Sequence, residues 1–357
     1  MRRILGTVLY PFSLIYGVLT GVRNILFDTG VFRSQRFEVP VISVGNLSAG
    51  GTGKTPVVSY LAGWLGAKYR VAILSRGYGR KTRGFRLAGP GETPATLGDE
   101  PALYALRFPN VQVAVCESRV EGIRRLLAQK NPPEVILLDD AFQHRWIKPG
   151  LSILLTRYDR PYSRDILLPA GTLRETASNA RRAEVIMVTK APQDVSKEEI
   201  NRLKNELNPR PGHEFFWSSL CHEPPVAAPG FQNSGITLSY QTSALLVTGI
   251  AWPKPLEEYV STQFHEVKTI RFPDHHRFTG KDLKQITDAF ALLPGENKVV
   301  LTTEKDLVRL SEPPVVEKIG YLPLFYIPVR ICFPPDVEEQ FQNRILTYVN
   351  RETERND

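Results

Sequence analysis

The apolar run Val39-Pro-Val-Ile-Ser-Val44 leads without a break into Gly45-Asn-Leu-Ser-Ala-Gly-Gly-Thr-Gly-Lys-Thr55. A buried strand feeding a glycine-rich turn that ends in Gly-Lys-Thr constrains the fold more than any other stretch. The backbone N–H groups of such a turn wrap an anion, and the helix behind it aims its positive dipole end at the same point. Ser48, Ala49, Gly50, Gly51, Thr52, Gly53, Lys54 and Thr55 form the expected cradle, with Lys54 on the outer phosphates and Thr55 on a magnesium ion. Pro56 suits a first helical turn, where its missing N–H has no intrahelical partner to lose. Ser48 stands where G-x-x-x-x-G-K-T has its first glycine. A glycine-rich turn without a ligand would not need strand, turn and helix signals to coincide, so a nucleoside triphosphate is the expected ligand.

Further apolar runs follow at Val71–Leu74, Val111–Val115, Val135–Leu138, Leu151–Leu155 and Val185–Val188. Near-continuous apolar runs mark strands covered on both faces, as in a parallel sheet, and their alternation with helical patterns predicts a doubly wound α/β domain. A second set begins at Ala244–Ile250 and continues through Lys298–Thr303 and Leu324–Pro328. The expected layout is an N-terminal helix over 1–30, a phosphate-loop domain over 31–212, a proline- and serine-rich connecting ribbon over 213–240 and a second, smaller α/β domain over 241–350. A charged, frayed tail over 351–357 completes it.

Ligands of parallel sheets sit beyond the carboxyl ends of the strands, so polar groups just after those runs are the candidates for chemistry. Val135-Ile-Leu-Leu-Asp-Asp140 ends in two carboxylates, Asp139 and Asp140, which beside a phosphate loop hold magnesium directly or through water. Gln143 and His144 lie just beyond. Leu97-Gly-Asp-Glu-Pro101 offers Asp99 and Glu100 before a helix, where an aspartate also serves as a cap. Phe272-Pro-Asp-His-His-Arg-Phe278 groups His275 and His276 with an aspartate and an arginine. Without a second His/Cys set, those histidines read as structural or as orienting groups across a cleft rather than as metal ligands. Arg76 and Tyr78, in Ser75-Arg-Gly-Tyr-Gly79, follow a strand, and Arg174 and Glu175 lie in Gly171-Thr-Leu-Arg-Glu175; arginine there suits phosphate recognition.

The net charge of +8 favours an anionic partner, and the 42% apolar and 23% charged fractions are those of a globular protein. No helix-turn-helix, zinc or RNA-binding signature accompanies the charge, so nucleic acid is not expected. Cys116, Cys221 and Cys332 are far apart and odd in number, which predicts three ordinary buried thiols and a reducing compartment. Residues 4–22 carry no charge and are bracketed by Arg2, Arg3 and Arg23. As a helix the run would be about 28 Å long, close to a bilayer core. No small-x-small cleavage site follows, which speaks against a signal peptide. Arg3, Thr7, Tyr10, Ser13, Tyr16, Thr20 and Arg23 recur every three or four residues, drawing a polar stripe along one face. The run is expected to associate with membrane, spanning it or lying in its interface.

Taken together, these segments resemble the tetraacyldisaccharide 4'-kinase family. The shared motifs are the uncharged N-terminal helix, Gly45-Asn-Leu-Ser…Gly-Gly-Thr-Gly-Lys-Thr-Pro56, Ser75-Arg-Gly-Tyr-Gly79, Gly98-Asp-Glu-Pro101, Leu138-Asp-Asp-Ala-Phe-Gln-His144, Gly171…Leu-Arg-Glu175 and Pro273-Asp-His-His276, in that order along most of the chain. The resemblance implies transfer of the ATP γ-phosphate, with Mg2+, to the 4'-hydroxyl of a tetraacyldisaccharide 1-phosphate at the cytoplasmic face of the bacterial inner membrane. It implies Asp99 as general base paired with a histidine, His275 or else His276. Lys54, Arg119 and Arg174 become candidates for the transferring phosphoryl or the substrate phosphate. Glu175 and the N-terminal helix would meet the acylated sugar. Asn46, Arg76, Tyr78 and Gln143 complete the expected substrate side, and Thr55, Asp139, Asp140 and Glu100 the metal side. The sequence carries no signal for an oligomeric state.

A membrane-attached ATPase of the partitioning or metal-insertion kind is the alternative, although its variant loop has lysine where Ala49 stands. A GTPase would need an aspartate at Pro192 in Thr189-Lys-Ala-Pro192. A nucleotide-gated adaptor would need no base at all.

Overall fold

The strand Val41–Asn46 (β1) lies near the middle of an eight-stranded sheet and is buried along its whole length. The protein is described by a computed structural model covering residues 2–233 and 235–354, with side chains from residue 8 onward. The other strands of that sheet are β2 (Val71–Ser75), β3 (Arg86–Leu87), β4 (Gln112–Val115), β5 (Val135–Asp139), β6 (Leu151–Arg157), β7 (Val185–Thr189) and β8 (Glu214–Trp217). Their order is β3-β4-β2-β5-β1-β6-β7-β8, and every pairing is parallel except that of β3 with β4. Helices α1 (Arg2–Asp28), α2 (Lys54–Gly66), α3 (Pro94–Leu97), α4 (Asp99–Arg107), α5 (Arg119–Leu127) and α6 (Lys197–Leu207) belong to this half of the chain.

Alternate strand residues enter opposite cores, as the period of two requires. Ile42, Ile73, Leu137, Ile153 and Met187 pack on one face with Val57, Leu61 and Leu65 of α2. Ala72, Leu74, Ile136 and Leu138 face the other way onto Ile123 and Leu126 of α5. Leu154, Ile186 and Val188 meet Leu203 and Leu207 of α6 on that same side. Covering both faces explains why the runs read as apolar without alternation. The parallel α/β fold expected from them is therefore present.

The second half contributes β9 (Ser219–His222), β10 (Val226–Ala227), β11 (Ser243–Thr248), β12 (Glu266–Arg271), β13 (Lys298–Thr303), β14 (Leu324–Ile327) and β15 (Val329–Cys332). Five of these form a sheet in the order β10-β14-β13-β11-β12, while β9 and β15 pair with each other as an antiparallel ribbon. Its helices are α7 (Lys254–Gln263), α8 (Gly280–Ala291), α9 (Glu304–Leu310), α10 (Pro313–Ile319) and α11 (Pro335–Glu354).

Several features depart from the sequence expectation. Phe215-Phe-Trp217, read as connecting ribbon, lies in β8 and extends the large sheet through parallel pairing with β7. The C-terminal helix α11 returns to the first half, where Phe341, Ile345 and Val349 share the core of α2. The Tyr348 hydroxyl donates to the Val41 carbonyl and accepts from the Val41 N–H. Arg351–Glu354 are helical, not frayed, and Glu352 is buried against Arg36; residues 355–357 lie outside the described residues. Phe341→Ala is expected to cost about 3–5 kcal/mol, since it empties a fully buried site between α11 and α2. Chemical denaturation of the variant checks this value.

The expectation of three free thiols is corrected. Cys221 and Cys332, 111 residues apart, form a disulfide, because the β9–β15 ribbon brings their Cα atoms to 6.0 Å. Sequence spacing carries no trace of that pairing. Cys116 is free and buried, as expected.

Helix α1 lays the Ser13–Arg23 part of its polar stripe on the protein, while Tyr10 is 49% exposed. Ser13 donates to the Leu167 carbonyl, Tyr16 to the Arg174 carbonyl and Arg23 to the Gln143 carbonyl. Its other side exposes Val8, Phe12, Ile15, Val18, Leu19, Val22 and Ile25, each more than half exposed. Among the described residues, no helix is long and apolar enough to cross a membrane. Arg3 and Thr7 of the expected stripe have side chains outside the described residues.

Candidate active site

Glycine is required at two points here, in the turn after β1 for its backbone angle and within β1 for close packing. Gly53 has φ of 81° and caps α2, and a Cβ on Gly45 would lie 2.6 Å from Phe142 Cβ. Ser48 and Ala49 are tied instead to the segment after β6, with the Ala49 N–H donating to the Thr172 carbonyl at 2.7 Å. The loop's Gly50 to Thr55 line a cleft of about 1620 Å³ that runs along the carboxyl edge of the large sheet and reaches the second half.

Lys54 opens α2 and folds back over the loop, donating to Asn46 Oδ1 at 3.2 Å and lying 3.6 Å from Asp140 Oδ1. Asp139 ends β5, buried, with Asp140 beside it at φ of 48°. Burial, together with the charges of Asp140 and Glu100, pushes the Asp139 carboxyl up to about 7. Burial would raise Asp140 as well, but the Lys54 ammonium and the Arg174 guanidinium hold it below the usual range. Arg174 Nη1 donates to both Asp140 oxygens at 3.0 Å.

Among the described residues, no three His, Cys, Asp or Glu side chains converge into a closed metal cage. Magnesium does not need one, because it is commonly held by one or two carboxylates plus substrate phosphates and water. Thr55, Glu100, Asp139 and Asp140 line the same cleft. The crowding of like charge that raises Asp139 is what a divalent cation would relieve, so the residues present fit the ion.

The remaining expected groups fall around the same opening. Gln143 donates to the Asn46 carbonyl at 2.8 Å. Arg76 and Tyr78 follow β2 on the cleft wall. Arg119 is buried at the start of α5 with its Nε unpartnered. Its backbone N–H donates to His144 Nε2 at 3.3 Å, and burial, with the Arg119, Arg23 and Arg76 charges, pushes His144 down to about 4. Glu175 reaches the cleft but is buried, with its carboxylate on Arg182 and Arg23.

From the second half, His275, which lines the cleft, meets Asp99. Asp99 opens α4, and His275 follows β12 with φ of 59°. His275 Nδ1 lies 2.7 Å from Asp99 Oδ2. His276 turns away, pairing with Asp282 at 3.0 Å and stacking on Phe272. Lys305 Nζ donates to His275 Nε2 at 2.9 Å and to Asp274 at 3.1 Å. Arg309 Nε donates to Asp99 Oδ1 at 3.2 Å and its Nη2 to Asp99 Oδ2. Burial alone would raise the Asp99 carboxyl, but the hydrogen bonds from His275 and Arg309 outweigh it and hold it well below the usual carboxylate range.

Lys305 and Arg309 were not among the sequence candidates, nor were Lys190, Arg157 and Trp252. Burial and the Arg157 charge push Lys190 down to about 8, and its ammonium sits 5.2 Å from the Trp252 ring centroid. The available signal was the strand-end rule applied to Lys298–Thr303, which Glu304–Arg309 follow directly.

A family model described as tetraacyldisaccharide-1-P 4'-kinase matches residues 5–346. The tetraacyldisaccharide 4'-kinase of Bacteroides thetaiotaomicron is 44% identical over 355 residues, covering 97% of this chain and 93% of its own. That of Flavobacterium psychrophilum is 43% identical over 354 residues, covering 98% of each. The crystal structure of LpxK from Aquifex aeolicus in complex with ATP superposes with a TM-score of 0.74 at 30% identity, covering 97% of this chain and 99% of that one. With motifs, fold and relatives in agreement along its length, the chain belongs to the tetraacyldisaccharide 4'-kinase family.

Proposed function

We propose that the protein transfers the ATP γ-phosphate to the 4'-hydroxyl of a tetraacyldisaccharide 1-phosphate, giving lipid IVA. The observation that carries this reading is that one cleft is lined by a phosphate loop and by His275, whose Nδ1 pairs with Asp99 just behind it. Asp99 accepts the proton of the sugar hydroxyl as its oxygen attacks the γ-phosphorus, while the bond to the β-phosphate oxygen breaks and ADP leaves. His275 orients that carboxylate. Lys54 and the loop N–H groups neutralise the charge that develops on the phosphoryl oxygens. Thr55, Asp139, Asp140 and Glu100 would hold Mg2+, which when bound supplies further charge neutralisation. Arg119, with an unpartnered buried guanidinium N–H, suits a phosphate oxygen; Arg76, Tyr78, Gln143 and Arg174 line the route to the acceptor.

The acceptor's acyl chains keep it in a bilayer, so the enzyme must approach a membrane. The exposed apolar side of α1, beside a cleft whose wall includes Tyr16, Thr20 and Arg23, supports placing that side at the cytoplasmic surface of the inner membrane. We read the two sheets as the two working halves, joined through the β9–β15 ribbon. ADP formation by the purified protein tests the activity: it should require Mg2+ and rise on addition of the lipid acceptor. ADP formed at the same rate without lipid would favour an ATPase.

A further inference from the structure

We infer that Arg309 is a positioning residue for the reaction: it aligns the Asp99 carboxylate so that Oδ1 faces proton transfer. The inference rests on the reading of Asp99 as proton acceptor.

Arg309 lies in the last turn of α9, and its side chain is only 4% exposed. A buried guanidinium must have its N–H groups satisfied or it costs several kcal/mol. Here the fork meets four neighbours, and its Nη2 lies 3.0 Å from His275 Nδ1 as well as against Asp99. Nε and Nη2 grip the two Asp99 oxygens, and Nη1 donates to the His276 carbonyl at 3.2 Å. Asp306, one turn back on the same helix, lies 3.6 Å from Nη1. Asp306 is itself fixed, accepting from the Gly249 N–H and the Thr303 hydroxyl, each at 2.8 Å. The titratable and charged groups facing Asp99 are thus His275 and Arg309, with Lys305 and Asp274 behind His275 and Asp306 behind Arg309.

Counting lone pairs on Asp99 separates the two oxygens. Oδ2 is matched by two neighbours, His275 Nδ1 at 2.7 Å and Arg309 Nη2, which occupies both of its acceptor directions. Oδ1 accepts from Arg309 Nε alone, so it keeps one direction open. A carboxylate gripped this way cannot rotate about its Cβ–Cγ bond without breaking two charge-assisted bonds. Arg309 thereby does for the carboxylate what His275 cannot do with a single contact: it fixes which oxygen is free. Because Asp99 belongs to α4 and Arg309 to α9, the alignment exists only where the two halves meet. Lysine cannot replace the fork, being a point charge.

The test is steady-state kinetics of the full-length protein in detergent, with lipid acceptor and ATP, on Asp99→Asn, Arg309→Ala and Arg309→Lys. Asp99→Asn should be nearly inactive. Arg309→Ala is expected to lose on the order of 100-fold in kcat, as small misplacement of a reacting group does, with KM for ATP unchanged. Guanidinium ion added to Arg309→Ala should recover part of kcat. Arg309→Lys covers the case in which truncation prevents folding: it should fold, by circular dichroism, and still lose most of kcat. Wild-type kcat in either Arg309 variant would overturn the inference. So would a loss that follows a lowered Tm and a raised KM for ATP, without guanidinium rescue, since that marks a structural residue. Full turnover in Asp99→Asn would remove the base reading and this inference together. An inactive Asp99→Asn beside a fully active Arg309→Ala would remove this inference alone.

Discussion

Asp99→Asn is expected to lower kcat for lipid phosphorylation by about 10³-fold, within the range for loss of a positioned general base, while ATP binds as in the wild type. The asparagine keeps the shape and some hydrogen bonds of the carboxylate but cannot take a proton. Asp99 is not among the residues lining the cleft with the phosphate loop and reaches it through His275, so nucleotide affinity has no reason to change. Its place at the first turn of α4 also makes it a helix-end carboxylate, and a capping role alone would predict a different result. Loss of a cap costs only about 1 kcal/mol of stability and leaves kcat intact. Measuring kcat and nucleotide affinity on one preparation therefore separates the two. Unchanged kcat with a lowered Tm would reduce Asp99 to a structural residue.

Lys54→Met is expected to lose roughly 10³-fold in kcat, the scale seen when one fixed donor to a developing negative charge is removed. Unlike Asp99→Asn, it should also weaken ATP binding. Lys54 reaches Asn46 and Asp140, so its loss leaves Asp140 with Arg174 as its nearest cation. The Asp140 carboxyl, now held down by Arg174 and Arg119 without Lys54, should titrate at a higher pH. Equilibrium binding of a fluorescent ATP analogue together with single-turnover kinetics would show both effects. If binding weakened while single-turnover rates at saturating ATP stayed at the wild-type value, Lys54 would serve ground-state binding only.

The parts of this site that could be read from the sequence are those built by contiguous residues. A strand, a turn and a helix start in fifteen residues of chain, and Asp139 and Asp140 end an apolar run, so the phosphate-binding half was legible as local pattern. His275 and Asp99 were paired only through the family resemblance, because 176 positions separate them. Arg309 and Lys305 were missed for a related reason. They follow β13, a strand of the smaller sheet, and nothing local indicates that its carboxyl end faces the cleft of the larger one. The same limit hid the return of α11 to the first half and the bond between Cys221 and Cys332, both consequences of how the β9–β15 ribbon runs. The polar stripe on α1 was visible, yet the sequence could not say that it turns inward to Leu167, Arg174 and Gln143. Local periodicity assigns faces; only the assembled fold decides what each face meets.

The measurement that tests the central claim most directly is the fate of γ-labelled phosphate. The full-length protein in detergent is incubated with labelled ATP, Mg2+ and a tetraacyldisaccharide 1-phosphate, and the products are separated and the lipid examined by phosphorus NMR. The account predicts label in the lipid, as a second phosphomonoester on the 4'-oxygen, formed in equal amount with ADP. Label found only as free phosphate, with competent acceptor present, would contradict it.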